Sequence, residues 1–214
     1  MSRAWEDFLP LILPDLPGCP KALALAAVRR GADELCRGAY VWTGELGPVD
    51  VSAGQTDYTF AAPSGSVPVI MLGLYYQGVP LSAATAEELD EKYPGWSELT
   101  AARPLRFIVP AIGKVRLVPK PTTAATGALT ARMVLAPAHD AADVQDLIFE
   151  QWAPAVAHAA KAELMAVPGK AWSDPQLSEH HARQFRTHIA RARGRASIGW
   201  TRKTMTAEPR TFGA

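Results

Sequence analysis

Five histidines are the first side chains in this sequence of 214 residues from which a metal site or a general base could be built. His180 and His181 are adjacent, so on a helix they diverge by about 100° and cannot share an ion. His181 and His188 stand two helical turns apart, where a chelating pair needs i, i+4 spacing. His158 has Glu163 nearby in sequence but no His-Glu-x-x-His pattern. His139-Asp140 has the types of a base and its orienting carboxylate, yet Asp140 reads better as the cap of a helix that begins just after it. Ala62-Pro63-Ser64-Gly65-Ser66 places a serine beside glycine, but the proline and flanking strands make it a loop. Nucleophile elbow, phosphate loop and dinucleotide fingerprint are all missing. Glu87, Glu88, Asp90 and Glu91 would spread round a helix as a solvated face. Cys19 and Cys36 lie outside any paired metal spacing and read as reduced, buried thiols of a cytosolic setting. The expectation is a protein that is not an enzyme and takes no metal and no cofactor.

What remains is charge. Residues 182–214 hold Arg183, Arg186, Arg191, Arg193, Arg195, Arg202, Lys203 and Arg210 against Glu208 alone. That surplus of +7, in a chain of net charge +1, leaves the rest at −6. An acidic body with a basic tail speaks of partners rather than of the fold. Arg191, Arg193 and Arg195 beside Trp200 could meet phosphates and stack on bases. Alternatively Trp200, Met205 and Phe212 are anchors of a protein-docking arm whose arginines find acidic partners. Two aromatics and a methionine exceed what a solubility tail needs, which favours docking. A third alternative, a ligand-binding sandwich, would need Tyr75, Tyr76 or Trp96 to line a groove.

The elements that must position these groups change character twice. Trp5–Leu13 reads as a short amphipathic turn or two closed by Pro14. Pro20 suits the first position of a helix. Leu25, Val28, Ala32 and Leu35 recur at helical spacing, and Gly38 is a natural stop. Leu46–Val51, Asp57–Ala61, Val67–Tyr76, Val79–Leu81, Leu105–Val109, Lys114–Val118 and Gly127–Leu135 are β-type runs between Gly and Pro punctuation. Val67–Tyr76 is apolar on both faces, hence central in a sandwich or covered from outside its sheet. Gln77-Gly78 predicts a tight hairpin. Thr85-Ala-Glu-Glu88 predicts a capping box on a short helix, Ala86–Lys92. Helix returns at Asp140. Val144, Ile148, Ala155, Ala159 and Ala162 form a seam of mostly small residues suited to close helix approach. Pro154 should kink it. Ser173-Asp174-Pro175 opens a last helix with the stripe Leu177, His181, Phe185, His188 and Ala192.

The fold class expected is α+β. A helical bundle built from residues 1–43 and 140–196 carries an inserted antiparallel β-sandwich or barrel-like domain, 44–139, and an extended C-terminal arm, 197–214. The longest apolar runs are far short of the ~20 residues a bilayer span needs, so no membrane is expected. Acids at Glu6 and Asp7, where a signal peptide would be apolar, give no sign of secretion.

Three segments together resemble the head-to-tail adaptors of tailed bacteriophages, the connector, gatekeeper or tail tubular protein A type. They are Asp15-Leu-Pro-Gly-Cys-Pro20 leading into a helix, the aromatic Tyr40-Val-Trp42 before a strand-rich middle, and Leu164-Met-Ala-Val-Pro-Gly-Lys-Ala-Trp-Ser-Asp-Pro175 before an Arg-rich helix. The resemblance implies a structural virion protein, a ring of twelve copies between portal and tail. Double-stranded genomic DNA would pass unread through its lumen. It implies a portal partner and a downstream tail partner of nozzle or stopper type, and a place at the head–tail junction after assembly in the host cytoplasm. On that view Arg195, Trp200, Arg202, Lys203, Met205, Arg210 and Phe212 would dock on the portal. Arg29, Arg30, Arg183, Arg186 and Arg193 would meet acidic surfaces of the next copy in the ring.

Overall fold

The computed structural model describes residues 2–198, with side chains through Ala196. The chain opens with a strand, β1 (Ser2–Ala4), that pairs antiparallel with Asp143–Gln145 far along the sequence. Trp5–Leu11 and Leu13–Asp15 follow as 3-10 turns, since Pro10 and Pro14 remove the donors an α-helix would use. They bury Trp5, Phe8, Ile12 and Leu16, and the Trp5 indole N–H donates to the Ala141 carbonyl at 3.0 Å.

Helix α1 (Lys21–Ala39) buries Ala24, Ala27, Val28, Gly31, Ala32, Leu35, Cys36 and Ala39, a stripe made almost wholly of small residues. It does not stop at Gly38. The helix runs one residue further and Tyr40 takes the left-handed cap at φ 58°, its N–H donating to the Cys36 carbonyl at 3.0 Å. Gly38 serves packing instead, because a Cβ there would lie 3.4 Å from Ile189 Cδ1 of the last helix.

The middle of the chain supplies β2 (Thr43–Val51), β3 (Asp57–Thr59), β4 (Ser66–Tyr76), β5 (Val79–Pro80), β6 (Ser82–Ala83), α2 (Ala86–Lys92), β7 (Thr100–Ala101), β8 (Arg106–Ala111), β9 (Lys114–Val118), β10 (Lys120–Pro121) and β11 (Ala125–Pro137). Two four-stranded sheets form, in the orders β2-β11-β4-β5 and β3-β9-β8-β6. Leu46, Leu74 and Leu129 of the first share one core with Tyr58, Phe107 and Leu117 of the second. This is a small sandwich, not a closed barrel. Most pairings are antiparallel; β6 with β8 and β7 with β10 are short parallel pairs. Gln77 and Gly78 both take positive φ, 49° and 75°, as the predicted two-residue hairpin requires. The capping box of α2 is complete: Thr85 Oγ1 accepts from Glu88 N–H while Glu88 accepts from Thr85 N–H.

Strand β12 (Asp143–Gln145) is the partner of β1, and it delays the following helix, so Asp140 caps nothing. Helix α3 (Asp146–Met165) then runs across Pro154. That proline lies on the exposed face, where water can meet the Glu150 carbonyl it leaves without a donor. Helix α4 (Pro175–Ile198) opens as the sequence predicts, with Asp174 Oδ1 accepting from the N–H groups of Gln176 and Leu177 at 3.0 and 2.9 Å. Its buried stripe is shorter than expected. Phe185 and Ala192 are buried, but Leu177 is 46% exposed. At that turn Ser178 faces α3, its hydroxyl donating to the Ala162 carbonyl at 2.7 Å.

Helices α1, α3 and α4 enclose the helical core together with the N-terminal turns. Strand β11 belongs to both cores: Leu129, Ala131, Met133 and Leu135 fill the sandwich, and Ala136 reaches the helices. The closest approach is at Gly31, where an added Cβ would sit 2.7 Å from Ala159 Cβ and 3.3 Å from the Val156 carbonyl. Gly31→Ala is therefore expected to lower unfolding free energy by about 1–3 kcal/mol. Gly38→Ala in the same helix should be neutral or gain up to ~1 kcal/mol, since its neighbour is a flexible side-chain end and alanine favours helix. Urea titration of both variants distinguishes the two.

Candidate functional site

Helix α4 is the element that carries the basic segment, so its fixation decides where that segment starts. Phe185 and Ala192 enter the helical core and Ile189 packs on it. Near its C-terminal end, Arg193 donates through Nε to the Gly38 carbonyl and lies over the Tyr40 ring, 5.7 Å from its centroid. Arg183, Arg186, Arg191 and Arg195 are exposed along the same helix.

The arginines foreseen as ring contacts fall into two groups. Arg30 forms a bidentate pair with Glu163 that clasps α1 to α3, and the carboxylate holds its guanidinium above the ordinary range. Arg29 donates to the His139 carbonyl at 3.2 Å and lies 5.4 Å from the Trp5 ring centroid. Arg193 has its contacts with Gly38 and Tyr40. Arg183 and Arg186 form no ion pair among the described residues. Of the portal-docking set, Arg195 sits in the last turns of α4; Trp200, Arg202, Lys203, Met205, Arg210 and Phe212 lie outside the described residues.

An open cleft of about 770 Å³ flanks those last turns, lined among others by Tyr40, Leu72, Arg132, Trp152, Arg193 and Arg195. Apolar side chains stand exposed on the β part. Ile70 on β4 lies beside Val109 and Ile112 of the β8–β9 hairpin, and Ile112 is 65% exposed. Leu105, Leu99 and Tyr93 form a second such group near α2. Most of β4, Ser66–Leu74, pairs with β11 but has no strand on its other edge among the described residues. Its apolar character on both faces thus ends partly in solvent, not wholly in a core.

Of the aromatics named for a ligand-binding groove, Tyr75 is half-buried on β4 and Trp96 lines the small groove near α2. Tyr76 is buried in the sandwich, and the Trp96 indole donates to Asp90 Oδ1 at 2.7 Å beside the separate small cluster of Leu89, Ile108 and Val118. The acidic residues on α2 are exposed, with Glu88 used by the cap. The histidines behave differently from their sequence spacing. His158 of α3 meets His181 and His188 of α4, a grouping that comparison along one helix could not reveal. Its signal was available: His181 and His188 share the stripe predicted for α4, and His158 falls one turn after Ala155 on the α3 seam. No group of three or more His, Cys, Asp or Glu is arranged to hold a metal ion among the described residues. No described helix is long and apolar enough to cross a membrane.

A bundle of close-packed helices, a small sandwich with exposed apolar strips and a basic last helix define an α+β protein with several surfaces open to contact. The family described as SU10 adaptor protein matches residues 7–208. The chain belongs to that family, one of structural head-to-tail adaptors of bacteriophages. No curated protein matches it.

The two thiols differ in reach. Cys36 is fully buried in the helical core, and burial pushes its pKa up to about 12; Cys19 is partly exposed, its pKa raised more modestly by burial. A thiol reagent is expected to label Cys19 alone in the native protein and both residues in denaturant. Rapid native labelling of Cys36, read by peptide mass spectrometry, would contradict the packing of α1.

Proposed function

We propose that the chain forms the adaptor ring between portal and tail in the virion, assembling in the host cytoplasm and leaving a lumen for double-stranded DNA. The observation that carries this reading is α4. It is pinned to α1 and α3, exposes Arg183 and Arg186 outward, and precedes in sequence residues 199–214, which add Trp200, Arg202, Lys203, Arg210 and Phe212 against the single acid Glu208. A preset helix end lowers the entropy cost of docking, so Arg195, Trp200, Arg202, Lys203, Met205, Arg210 and Phe212 form the arm that grips the portal.

Within the ring, Arg183 and Arg186 are the contacts this reading favours, because Arg29, Arg30 and Arg193 already have partners in their own chain. The acidic body of the neighbouring copy supplies the opposite charge, in a heterologous contact that closes by rotation. Twelve copies is the number the family resemblance implies. The exposed strips around Ile112 and Leu105 face tail components of nozzle or stopper type.

Deleting residues 197–214 should abolish co-purification with the co-expressed portal. The double substitution Arg183→Glu, Arg186→Glu should weaken ring assembly about tenfold or more while the monomer stays folded. Electron microscopy and mass photometry of the portal complex read both. Retention of the truncated chain at full strength removes the docking arm from the reading. Tight duplex-DNA binding by the free chain that falls steeply with salt would favour a nucleic-acid-binding module in its place.

A further inference from the structure

Where α3 packs against α4, the contact is made partly by imidazoles. His158 Nδ1 and His181 Nδ1 are 2.8 Å apart. The His158 ring also stacks on that of His188, with centroids 5.7 Å apart and an interplanar angle of 27°. His180 adds an edge contact to His181 at 5.4 Å. All three rings of the central group are half-buried between the helices. We infer that this cluster is a proton-operated latch: neutral imidazoles hold α4 on α3, and protons entering the cluster release α4 together with the basic arm it carries.

The chemistry follows from the N···N contact. One Nδ1–H donates and the other Nδ1 accepts, so two neutral rings, or one neutral and one cationic ring, satisfy it. A second proton puts N–H against N–H with two charges at contact distance, and the bond is lost. The surrounding charges make that protonation costly. Burial, then His181, His188, Lys161 and His180, pushes the His158 pKa down to about 4. His181 is lowered by burial, Lys161 and His180, with Asp15 alone opposing; Asp15 is itself paired with Lys161. His188 is lowered by burial and by Arg191. The ordinary histidine value is 6.5. A helix detached from α3 regains that value, so the open state binds protons that the closed state refuses. The closed form thus has its full advantage above pH 6.5 and loses it as pH falls toward 4. Below that, both forms are protonated and nothing further is lost.

The latch is a property of the single chain and does not depend on the ring reading. It is tested on the full-length protein by hydrogen exchange, corrected for the intrinsic pH dependence of the amide reaction, with α1 amides as internal reference. Between about pH 7.5 and pH 5, opening of α4 should rise about tenfold relative to α1. His158→Gln, which keeps a polar side chain that cannot take a proton, should remove most of that response. Equal α4 protection at both pH values, or an undiminished response in His158→Gln, overturns the latch. Should that variant fail to fold, NMR titration of wild-type His158 decides: a midpoint below about 6 supports it, and one at or above that value overturns it.

Discussion

The contact on which the rest of the structure depends is the approach of α1 to α3 at Gly31. Two helices can come together this closely only where neither presents a side chain larger than a methyl, and the backbone carbonyl of Val156 then stands within van der Waals reach of the Gly31 position. Ala24, Ala27 and Ala32 on one side and Ala155, Ala159 and Ala160 on the other extend the narrow seam. The larger side chains are pushed to its margins. Trp5, Phe8 and Ile12 close it beneath the N-terminal turns, while Phe185 closes it from α4. The Arg30–Glu163 pair then spans the two helices at the surface. As an exposed ion pair it contributes little energy.

This arrangement also explains how a helical core and a β-sandwich can share a single chain without a flexible joint. Strand β11 is long enough to pass through both, and Trp42 packs against each core from the short link between α1 and β2. At the other end the link is secured by the pairing of β1 with β12, by the Trp5 N–H bond to Ala141, and by the edge-to-face contact of Phe8 with Phe149 at 5.0 Å. The sandwich and the bundle are thus joined at more than one place.

Much of this was legible in the amino-acid sequence because periodicity and turn chemistry are local. The alternation of Leu129, Ala131, Met133 and Leu135, the Thr85 capping box, the Gln77-Gly78 hairpin and the Asp174 cap each depend on a few neighbouring residues. What escaped was non-local. The strand at Ser2–Ala4 exists only because Asp143–Gln145 is there to pair with it, and the same pairing moved the start of α3 past Asp140. Gly38 carried a stop signal that was overridden by the packing of Ile189, and Leu177 carried an apolar signal at a turn where Ser178 makes the contact. For the candidate site the same division holds. The charge surplus was plain from composition, whereas which arginines are already engaged depends on Glu163, Gly38 and His139, all distant in sequence.

Helix α4 is the least embedded of the three long helices, and its composition accounts for that. Among its described side chains, through Ala196, only Phe185 and Ala192 are buried, and half-buried imidazoles, Ile189, the Ser178 hydroxyl and the Arg193 guanidinium complete the interface. Polar contacts of this kind hold geometry well but resist competition by water or protons less than an apolar stripe does. An all-leucine stripe at the same positions would bind α4 more firmly. The mixed interface found here therefore makes α4 the long helix whose packing is most open to competition by water or protons. Arg193 adds to it near the C-terminal end of α4, where its guanidinium bonds the Gly38 carbonyl of α1 and lies over the Tyr40 ring.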